Sequence, residues 1–474
     1  MTHRCALALF AWLLFFNSAS GQSYPQTELT DQVDELFSQW DQENAPGATI
    51  GIYQDGEIVY TQGYGTANLD HNIPLTPGSV LRIGSISKQF MAMCMAILAE
   101  QGKLSLDDDI RIYLPEMPDY GKPVTIRHLL HHTSGIREYL ALVSLAGKPE
   151  GGVFGYTAKE LVEMLSRQKA LNFEPGSQFS YTNSGYFLLA EIVTRVSGMK
   201  ASAFAAQQVF GPLGMTSTQF YDDRNAIIPN RAFGYSPKSG GGYSLDILRS
   251  DVIGDLGVIT TVEDFLKWDQ NFYGNRLGAG TDDLIDTMFT RGRTNEGEEL
   301  DYALGVTFGS YRGLNTMGHG GSAVGYRAEF LQFPDQRFSV VILSNVSSFQ
   351  PGMMVQKVAD LYLDDQFTEP SPTNDPEETR SEISEPYQQS KLDLRDFVGD
   401  FYSDELDVVY SLSLEGNNLY LELRGNTSEL APHSEDRLNW GSRDLIFSRD
   451  EDADVFGFRI NVGEIQGLEF LKLN

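Results

Sequence analysis

The sequence predicts an α/β (α+β) fold: a mixed β-sheet flanked by helices, followed by a small C-terminal antiparallel β-barrel. Alternating apolar segments around turn residues indicate one hairpin at residues 47–67 and a second at residues 328–345. Helical apolar segments lie between them, and short alternating segments return after residue 392. Strands at both ends of a segment, with helices between, indicate one sheet closed by the two ends of that segment.

The composition is that of a folded and acidic protein. Of the 474 residues, 41% are hydrophobic and 11% are aromatic, which allows a large core. The 65 acidic residues exceed the 35 basic residues, for a formal charge of -30. This charge argues against nucleic acid as a partner, because binding to a phosphate backbone needs a basic surface. An anionic membrane surface is disfavoured for the same reason.

The N-terminus has the pattern of a secretory signal peptide, which we place at residues 1–20. Arg4 precedes an apolar run from Cys5 to Phe16, and small residues follow. The run is too short to span a membrane, so we expect cleavage, no membrane span in the mature chain, and a periplasmic or secreted protein. An uncleaved membrane anchor is the alternative. Cleavage would remove Cys5 and leave Cys94 without a disulfide partner, and the apolar neighbours of Cys94 indicate a core position.

Three further segments follow. Residues 21–363 hold both hairpins and the helices between them. Residues 364–392 are predicted to be a linker, because they are rich in acidic residues and proline. Residues 393–474 are predicted to form a lipocalin-like antiparallel barrel or a sandwich, since alternating leucines lie on both sides of Gly416.

Ser85 and Lys88 are the candidate nucleophile and its proton acceptor. We expect a largely buried helix from Ser85 to about Gln101, because it is apolar on most faces and Gly102 follows. Residues three apart share a helix face, so the two side chains can touch. A serine must lose its proton to attack, and a lysine in an apolar pocket can take it. The alternative is an ordinary helix start with Ser85 as N-cap and Lys88 in solvent.

Tyr181 and Asn183 are a second candidate pair, because they lie two residues apart just before an apolar helix. A tyrosine beside a lysine cation loses its proton more easily, which makes Tyr181 a candidate general base towards Ser85. The amide of Asn183 can hold a substrate carbonyl. The alternative is a capping loop with a packed tyrosine.

A third candidate motif is His319-Gly320-Gly321, which precedes the second hairpin. Glycines let a substrate approach a strand edge closely. The N–H group of Ser322, with that of Ser85, would stabilise an oxyanion, and His319 would help by hydrogen bonding or acid–base chemistry. The alternative is a glycine turn with an incidental histidine.

These motifs, Ser-x-x-Lys, Tyr-x-Asn and a basic residue with glycine, resemble in their order those of the serine β-lactamase and penicillin-binding protein superfamily. The resemblance covers about residues 28–362. Within the superfamily, Tyr-x-Asn is similar to class C β-lactamases, D-alanyl-D-alanine carboxypeptidases, D-aminopeptidases and related esterases. Residues 393–474 resemble the small barrel that follows the catalytic domain in many such hydrolases.

The third motif departs from the commonest family pattern. Class C β-lactamases and penicillin-binding proteins usually carry Lys-Thr-Gly there, and the lysine helps to bind a substrate carboxylate. The His-x-Gly form, with His319, resembles that of D-aminopeptidases and several esterases. A cation is missing at neutral pH unless this histidine is protonated, so we expect inefficient penicillin hydrolysis.

The resemblance implies an exported serine hydrolase that forms an acyl-enzyme on Ser85, with Lys88 and Tyr181 moving its proton. Its substrate would be a small molecule or peptide: a short peptide, a D-amino-acid amide or a carboxylic ester. β-Lactamase or D,D-carboxypeptidase activity is the alternative, and a non-catalytic penicillin-binding-like sensor or scaffold is a further one. No metal or organic cofactor is required.

Two other kinds of site are disfavoured. His128, His131 and His132 could suggest a metal, but no second ligand cluster supports it, and the surrounding sequence resembles a structural loop of the family. A Gly-x-Ser-x-Gly motif does not occur in the chain, which argues against an α/β-hydrolase. Specificity is expected in loops at residues 140–160 and 222–250, where the sequence indicates no chemistry.

Overall fold

A computed structural model describes residues 27–147, 155–370 and 393–473. The predicted signal peptide, residues 1–20, and most of the predicted linker, residues 364–392, lie outside these ranges. Within them, no helix is both long enough and apolar enough to cross a bilayer.

The strands are numbered along the chain. They are β1 (Ala48–Gln54), β2 (Glu57–Tyr64), β3 (Thr66–Asn68), β4 (Ile73–Pro74), β5 (Leu81–Arg82), β6 (Gln219–Phe220), β7 (Tyr235–Pro237), β8 (Tyr243–Leu245), β9 (Val258–Thr260), β10 (Thr307–Tyr311), β11 (Leu314–Ala323), β12 (Tyr326–Phe333), β13 (Phe338–Ser344), β14 (Gly399–Ser403), β15 (Val408–Glu415), β16 (Asn418–Leu423), β17 (Asn426–Ser434), β18 (Arg437–Trp440), β19 (Arg443–Arg449), β20 (Val455–Val462) and β21 (Ile465–Lys472).

The helices are numbered in the same way. They are α1 (Glu28–Phe37), α2 (Ser87–Glu100), α3 (Ile126–Leu130), α4 (Tyr139–Ala146), α5 (Ala158–Ser166), α6 (Asn183–Ser197), α7 (Ala201–Ala205), α8 (Gly211–Leu213), α9 (Val262–Asn271), α10 (Asp283–Phe289) and α11 (Pro351–Tyr362). A short 3-10 turn, Gly84–Ile86, leads into α2.

A six-stranded sheet of order β10-β11-β12-β13-β1-β2 forms the centre of the larger part of the chain. Strand β13 pairs with β1, which joins the two predicted hairpins as expected. The fold class is confirmed, but the sheet is not mixed, because every pairing in it is antiparallel. Hairpin links join β1 to β2 and connect β10 through to β13, and a hairpin can only join antiparallel neighbours. Strands β13 and β1, which no hairpin links, also pair antiparallel. In the β1–β2 turn, Asp55 and Gly56 both have positive φ, as a type I′ turn needs.

Helix α2 is enclosed on all sides, as its apolar sequence predicts. Every residue from Ser87 to Leu98 is buried. Its Phe90 ring lies 4.5 Å from Trp268 of α9, and α9 in turn packs on the sheet. Cys94 is buried, and burial raises the pKa of its thiol, which fits the expected core role. The helix begins at Ser87 and not at Ser85, because Ser85 lies in the preceding 3-10 turn.

The C-terminal strands β14–β21 form a closed eight-stranded barrel. The predicted hairpin is present, with Leu412 opposite Leu421 and Leu414 opposite Leu419. Pairing of β14 with β21 closes the barrel, so no strand edge is left open and a sandwich is excluded.

The barrel holds the C-terminal end of α4. The Tyr410 hydroxyl donates a hydrogen bond of 2.7 Å to the carbonyl of Leu145, and Arg424 Nε donates one of 2.9 Å to that of Ala146. The last carbonyl groups of a helix lack partners within the helix, so the barrel supplies them. The predicted specificity loop at residues 140–160 therefore starts as a helix docked on the barrel.

A buried ion pair adds a second link between the barrel and the rest of the chain. Arg137, directly before the N-cap of α4, lies 2.6 Å from Glu405, and both side chains are almost fully buried. Arg137 also donates to Gln168 Oε1 and to the carbonyl of Gln466. Glu405 accepts the N–H of Lys169 at 2.9 Å. These contacts compensate the cost of removing both charges from water.

Glu405→Ala should lower the free energy of unfolding by about 3–5 kcal/mol, because it leaves the Arg137 cation buried and unpaired. The measurement is urea denaturation followed by tryptophan fluorescence. Asp404→Ala is the matched control, since Asp404 pairs with Lys169 in solvent and such pairs contribute at most about 1 kcal/mol. Equal losses in the two variants would contradict the assignment of Glu405 as a structural link.

Candidate active site

The turn that carries Ser85 is pressed against strand β11. Gly84 has φ +52°, and a Cβ atom there would lie 2.5 Å from the N atom of Ser322. A Cβ atom on Gly321 would lie 1.9 Å from the carbonyl oxygen of Ile83. Both positions therefore need glycine, and the result is that the half-buried Ser85 lies beside the backbone of β11.

Ser87 fixes the shape of this turn. Its hydroxyl donates to the carbonyl of Gly84 at 2.6 Å and accepts the N–H of Val258 in β9 at 3.0 Å. The turn is thus tied to the end of a neighbouring strand, and the position of Ser85 does not depend on helix α2 alone.

The ammonium group of Lys88 is fully buried and meets three oxygen atoms. It lies 3.2 Å from Ser85 Oγ, 2.8 Å from Asn183 Oδ1 and 3.0 Å from the carbonyl oxygen of Asp255. Three acceptors match the three N–H groups of a lysine cation. The predicted contact between Ser85 and Lys88 is therefore present, and Asn183 lies at the same point.

This shell of oxygen atoms satisfies Lys88 in either protonation state. The amide and carbonyl oxygens can only accept, but the Ser85 hydroxyl can accept or donate. As a cation, Lys88 donates to all three; as a neutral amine, it donates to the two fixed acceptors and accepts from Ser85. A proton can pass from Ser85 to Lys88 without movement of the other partners, which is what activation of a serine nucleophile needs.

Glu138 holds Asn183 in place. Its carboxylate accepts the backbone N–H of Asn183 at 2.5 Å and the Thr182 hydroxyl at 2.8 Å, and the Asn183 Nδ2 group lies 3.3 Å away. Since Asn183 uses its Nδ2 group on Glu138, its Oδ1 atom is directed at Lys88. Glu138 is also the N-cap of α4, so it ties the start of α6 to the helix that the barrel holds.

Asp255 lies behind Lys88 and is fully buried. Burial raises the pKa of its carboxyl group to about 6, while Lys88 and the hydrogen bond from the Tyr139 hydroxyl act in the opposite direction. That hydrogen bond is 2.9 Å long. With this pKa the carboxyl is mainly ionised at neutral pH and places a negative charge behind Lys88.

The aromatic ring of Tyr181 covers Lys88 from the open side. Lys88 Nζ lies 4.8 Å from the ring centre, and Tyr181 is exposed to solvent. The ring packs on buried His132 at 4.3 Å, whose Nδ1 atom accepts the N–H of Thr182. Among the described residues, the Tyr181 hydroxyl has no hydrogen-bond partner. Its role as a general base thus stays a prediction. Catalytic hydrogen bonds often form only when the substrate is bound.

The third motif lies within strand β11, not in a turn before a strand. Strand β10 pairs with β11 only as far as Gly318. On that edge of β11, residues 319–323 therefore face the turn at Ser85, while β12 pairs with their other edge. His319 Nε2 lies 3.2 Å from the hydroxyl of Tyr302. Burial, assisted by the Lys88 charge, lowers the pKa of His319 to about 4. His319 is therefore neutral at neutral pH and supplies no cation.

A cleft of about 500 Å³ opens beside Tyr181 and His319. Its other side carries carboxylates, from Glu298, Glu299 and Asp301. Arg291 pairs with the last two and Arg293 also pairs with Glu299, whereas Glu298 has no ion pair among the residues described. The mouth of the cleft is therefore acidic.

The structure brings the predicted site residues together and adds residues that the sequence did not indicate. Ser85, Lys88 and Asn183 share one hydrogen-bond network, with the other predicted residues around it. The additional residues are Glu138, Tyr139, Asp255 and Tyr302. Each reaches the site from a distant part of the chain, so no local motif identifies them.

The three histidines that could suggest a metal have separate contacts. His128 Nδ1 accepts the N–H of Thr125, which is the N-cap of α3. His131 Nε2 lies 3.1 Å from the carbonyl oxygen of Thr290. His132 supports Tyr181. These contacts account for the motif as part of the structure around the site.

Comparison with known proteins identifies a family model and curated relatives that each match more than half of this chain. A family model described as Beta-lactamase matches residues 33–362. A D-aminopeptidase of Gluconobacter oxydans (strain 621H) is 29% identical over 304 residues, which are 63% of this chain and 56% of the relative. A D-aminopeptidase of Brucella canis is 28% identical over 301 residues, again 56% of its length. The chain thus spans little more than half the length of these curated relatives.

Solved structures show the same fold. The octameric penicillin-binding protein homologue from Pyrococcus abyssi matches with a TM-score of 0.62 and 23% identity, over 94% of this chain and 99% of that one. The D-amino acid amidase from Ochrobactrum anthropi SV3 matches with a TM-score of 0.58 and 20% identity, over 71% and 97%. The first match includes the barrel, because it extends over nearly the whole chain.

The low pKa of His319 predicts a specific loss of stability in acid. The unfolded histidine takes up a proton near pH 6.5 and the folded one only near 4, so stability falls as pH falls between these values. Between about pH 7.5 and 5.0, wild-type protein should lose about 2 kcal/mol more than His319→Gln. Urea denaturation at both pH values measures this. His433→Gln, which removes an exposed histidine, should behave as wild type. The same acid loss in His319→Gln would show that His319 is not held neutral.

Proposed function

Since the chain belongs to the Beta-lactamase family, we propose that it is an exported serine hydrolase that forms an acyl-enzyme on Ser85 and acts on amides of D-amino acids or short D-peptides. The observation that carries the proposal is the Lys88 ammonium group, buried between Ser85 Oγ and two fixed acceptors. Carboxylic esters suit the same chemistry, because both reactions pass through attack on a carbonyl carbon.

The reaction begins with transfer of the Ser85 hydroxyl proton to Lys88 in its neutral amine form, or to Tyr181 in its phenolate form. The Ser85 oxygen then bonds to the substrate carbonyl carbon, and the N–H groups of Ser85 and Ser322 stabilise the resulting oxyanion. The C–N bond breaks as the amine leaves with a proton returned by Lys88 or Tyr181. Water next attacks the acyl-enzyme, and the same groups take and return its proton to free Ser85.

The charges around the cleft favour a substrate with an amino group over a penicillin. His319 is neutral, so the third motif has no cation to bind a penicillin carboxylate. The acidic mouth near Glu298 would attract an ammonium group, which D-amino-acid amides carry. The similarity to D-aminopeptidases supports the same class of substrate.

Replacement of the nucleophile tests the proposal. Ser85→Ala should lower kcat for D-alanine p-nitroanilide by roughly a thousandfold or more, because no oxygen remains to form the acyl-enzyme. The measurement is release of p-nitroaniline, with L-alanine p-nitroanilide and a chromogenic cephalosporin as comparison substrates. Ser310→Ala, at an exposed position of β10, is the control and should keep full activity. Unchanged hydrolysis by Ser85→Ala would exclude Ser85 as nucleophile.

A further inference from the structure

A second cavity is lined in part by Arg82, three residues before Ser85. It measures about 220 Å³ and is lined by four arginines and two tyrosines. These are Arg82, Arg224, Arg231, Arg249, Tyr221 and Tyr326. Such a concentration of positive charge is unexpected in a chain with 65 acidic residues and 35 basic ones.

Arg82 is the most buried of the four arginines. The residue is only 6% exposed, yet no described residue accepts a hydrogen bond or forms an ion pair with its guanidinium group. Its Cζ atom lies 4.8 Å from the ring centre of Tyr221, and the Cζ atom of Arg231 lies 5.6 Å from the same ring. Two cations therefore converge on one tyrosine. Burial lowers the pKa of Arg82, while Tyr326, Tyr221 and Asp251 act in the opposite direction and Arg231 in the same one.

Asp251 acts electrostatically on Arg82, but it is already paired with Arg224. Asp251 accepts the Nε and backbone N–H groups of Arg224 and lies 2.8 Å from its Nη2 atom. Arg231 donates to the Tyr221 hydroxyl at 2.8 Å, which adds no negative charge. Arg249 is exposed and forms no ion pair with a described residue. Among the described residues, Arg82, Arg231 and Arg249 thus form no ion pair. Arg82 is buried, whereas buried cations are normally paired.

We propose that this cavity binds a small oxyanion, a carboxylate or a phosphate, between Arg82, Arg231 and Arg249. Guanidinium groups offer paired N–H donors that match the oxygen atoms of these anions. The volume suits one such group and not a large ligand.

The cavity borders the active site along the backbone. Arg82 precedes Ser85 by three residues, so their Cα atoms lie within about 11 Å of one another. Tyr326 pairs with Ala323, the residue after the predicted oxyanion donor Ser322. The anion can therefore be a carboxylate of the substrate, or a separate small ion that neutralises the arginine charges beside the active site.

Calorimetric titration with inorganic phosphate, at constant ionic strength in chloride, tests the site. Wild-type protein should bind one phosphate per chain with saturation. Arg82→Gln should weaken binding by about tenfold or more, and Arg249→Gln, at an exposed position that the fold tolerates, by about threefold. Arg276→Gln, an exposed arginine outside the cavity, is the charge-matched control. Absence of saturable phosphate binding, or binding by Arg82→Gln and Arg249→Gln as tight as that by wild-type protein, would overturn the proposal.

The source of the anion is distinguished with two substrates, a D-alanine dipeptide with a free carboxylate and its C-terminal amide. A substrate carboxylate in the cavity predicts that phosphate competes with the acid only, and that Arg249→Gln raises KM for the acid only. A separate ion predicts phosphate binding without competition. Ser85→Ala should still bind phosphate, so failure of the proposed hydrolysis and failure of this site are separate results.

Discussion

The burial of the Lys88 ammonium group is the constraint on which the site depends. A lysine cation without water needs an acceptor for each N–H group. Those acceptors come from three separate segments: the turn at Ser85, the start of α6 at Asn183, and the loop at Asp255. The packing of these segments around α2 is therefore also the arrangement that the chemistry uses.

The same constraint extends outwards to the barrel. Asn183 is directed at Lys88 because Glu138 binds its other end. Glu138 caps α4, and the barrel binds the far end of that helix through Tyr410. The adjacent Arg137 is paired with Glu405 of the barrel. Helix α4 and the hydrogen bonds at its two ends thus connect the barrel to Lys88.

Much of the fold and of the site could be predicted because the signals are local. The spacing of Ser85 and Lys88 predicts that their side chains meet, and the Asp55-Gly56 turn predicts that the strands on either side of it pair. Contacts between distant segments could not be predicted in this way. Nothing near Asp255 indicates that its carbonyl faces Lys88, and the arginines of the second cavity come together only in the folded chain. The signal peptide and the linker boundaries remain predictions.

The central claim, that buried Lys88 activates Ser85, is tested most directly by mass mapping of a fluorophosphonate adduct in wild-type protein and in Lys88→Met. We expect one adduct, on the peptide that contains Ser85, and formation slowed by roughly a hundredfold or more in Lys88→Met, since the amine that contacts Ser85 Oγ is lost. An adduct on another residue would show that Ser85 is not the nucleophile, and equal rates in the two proteins would show that Lys88 does not activate it.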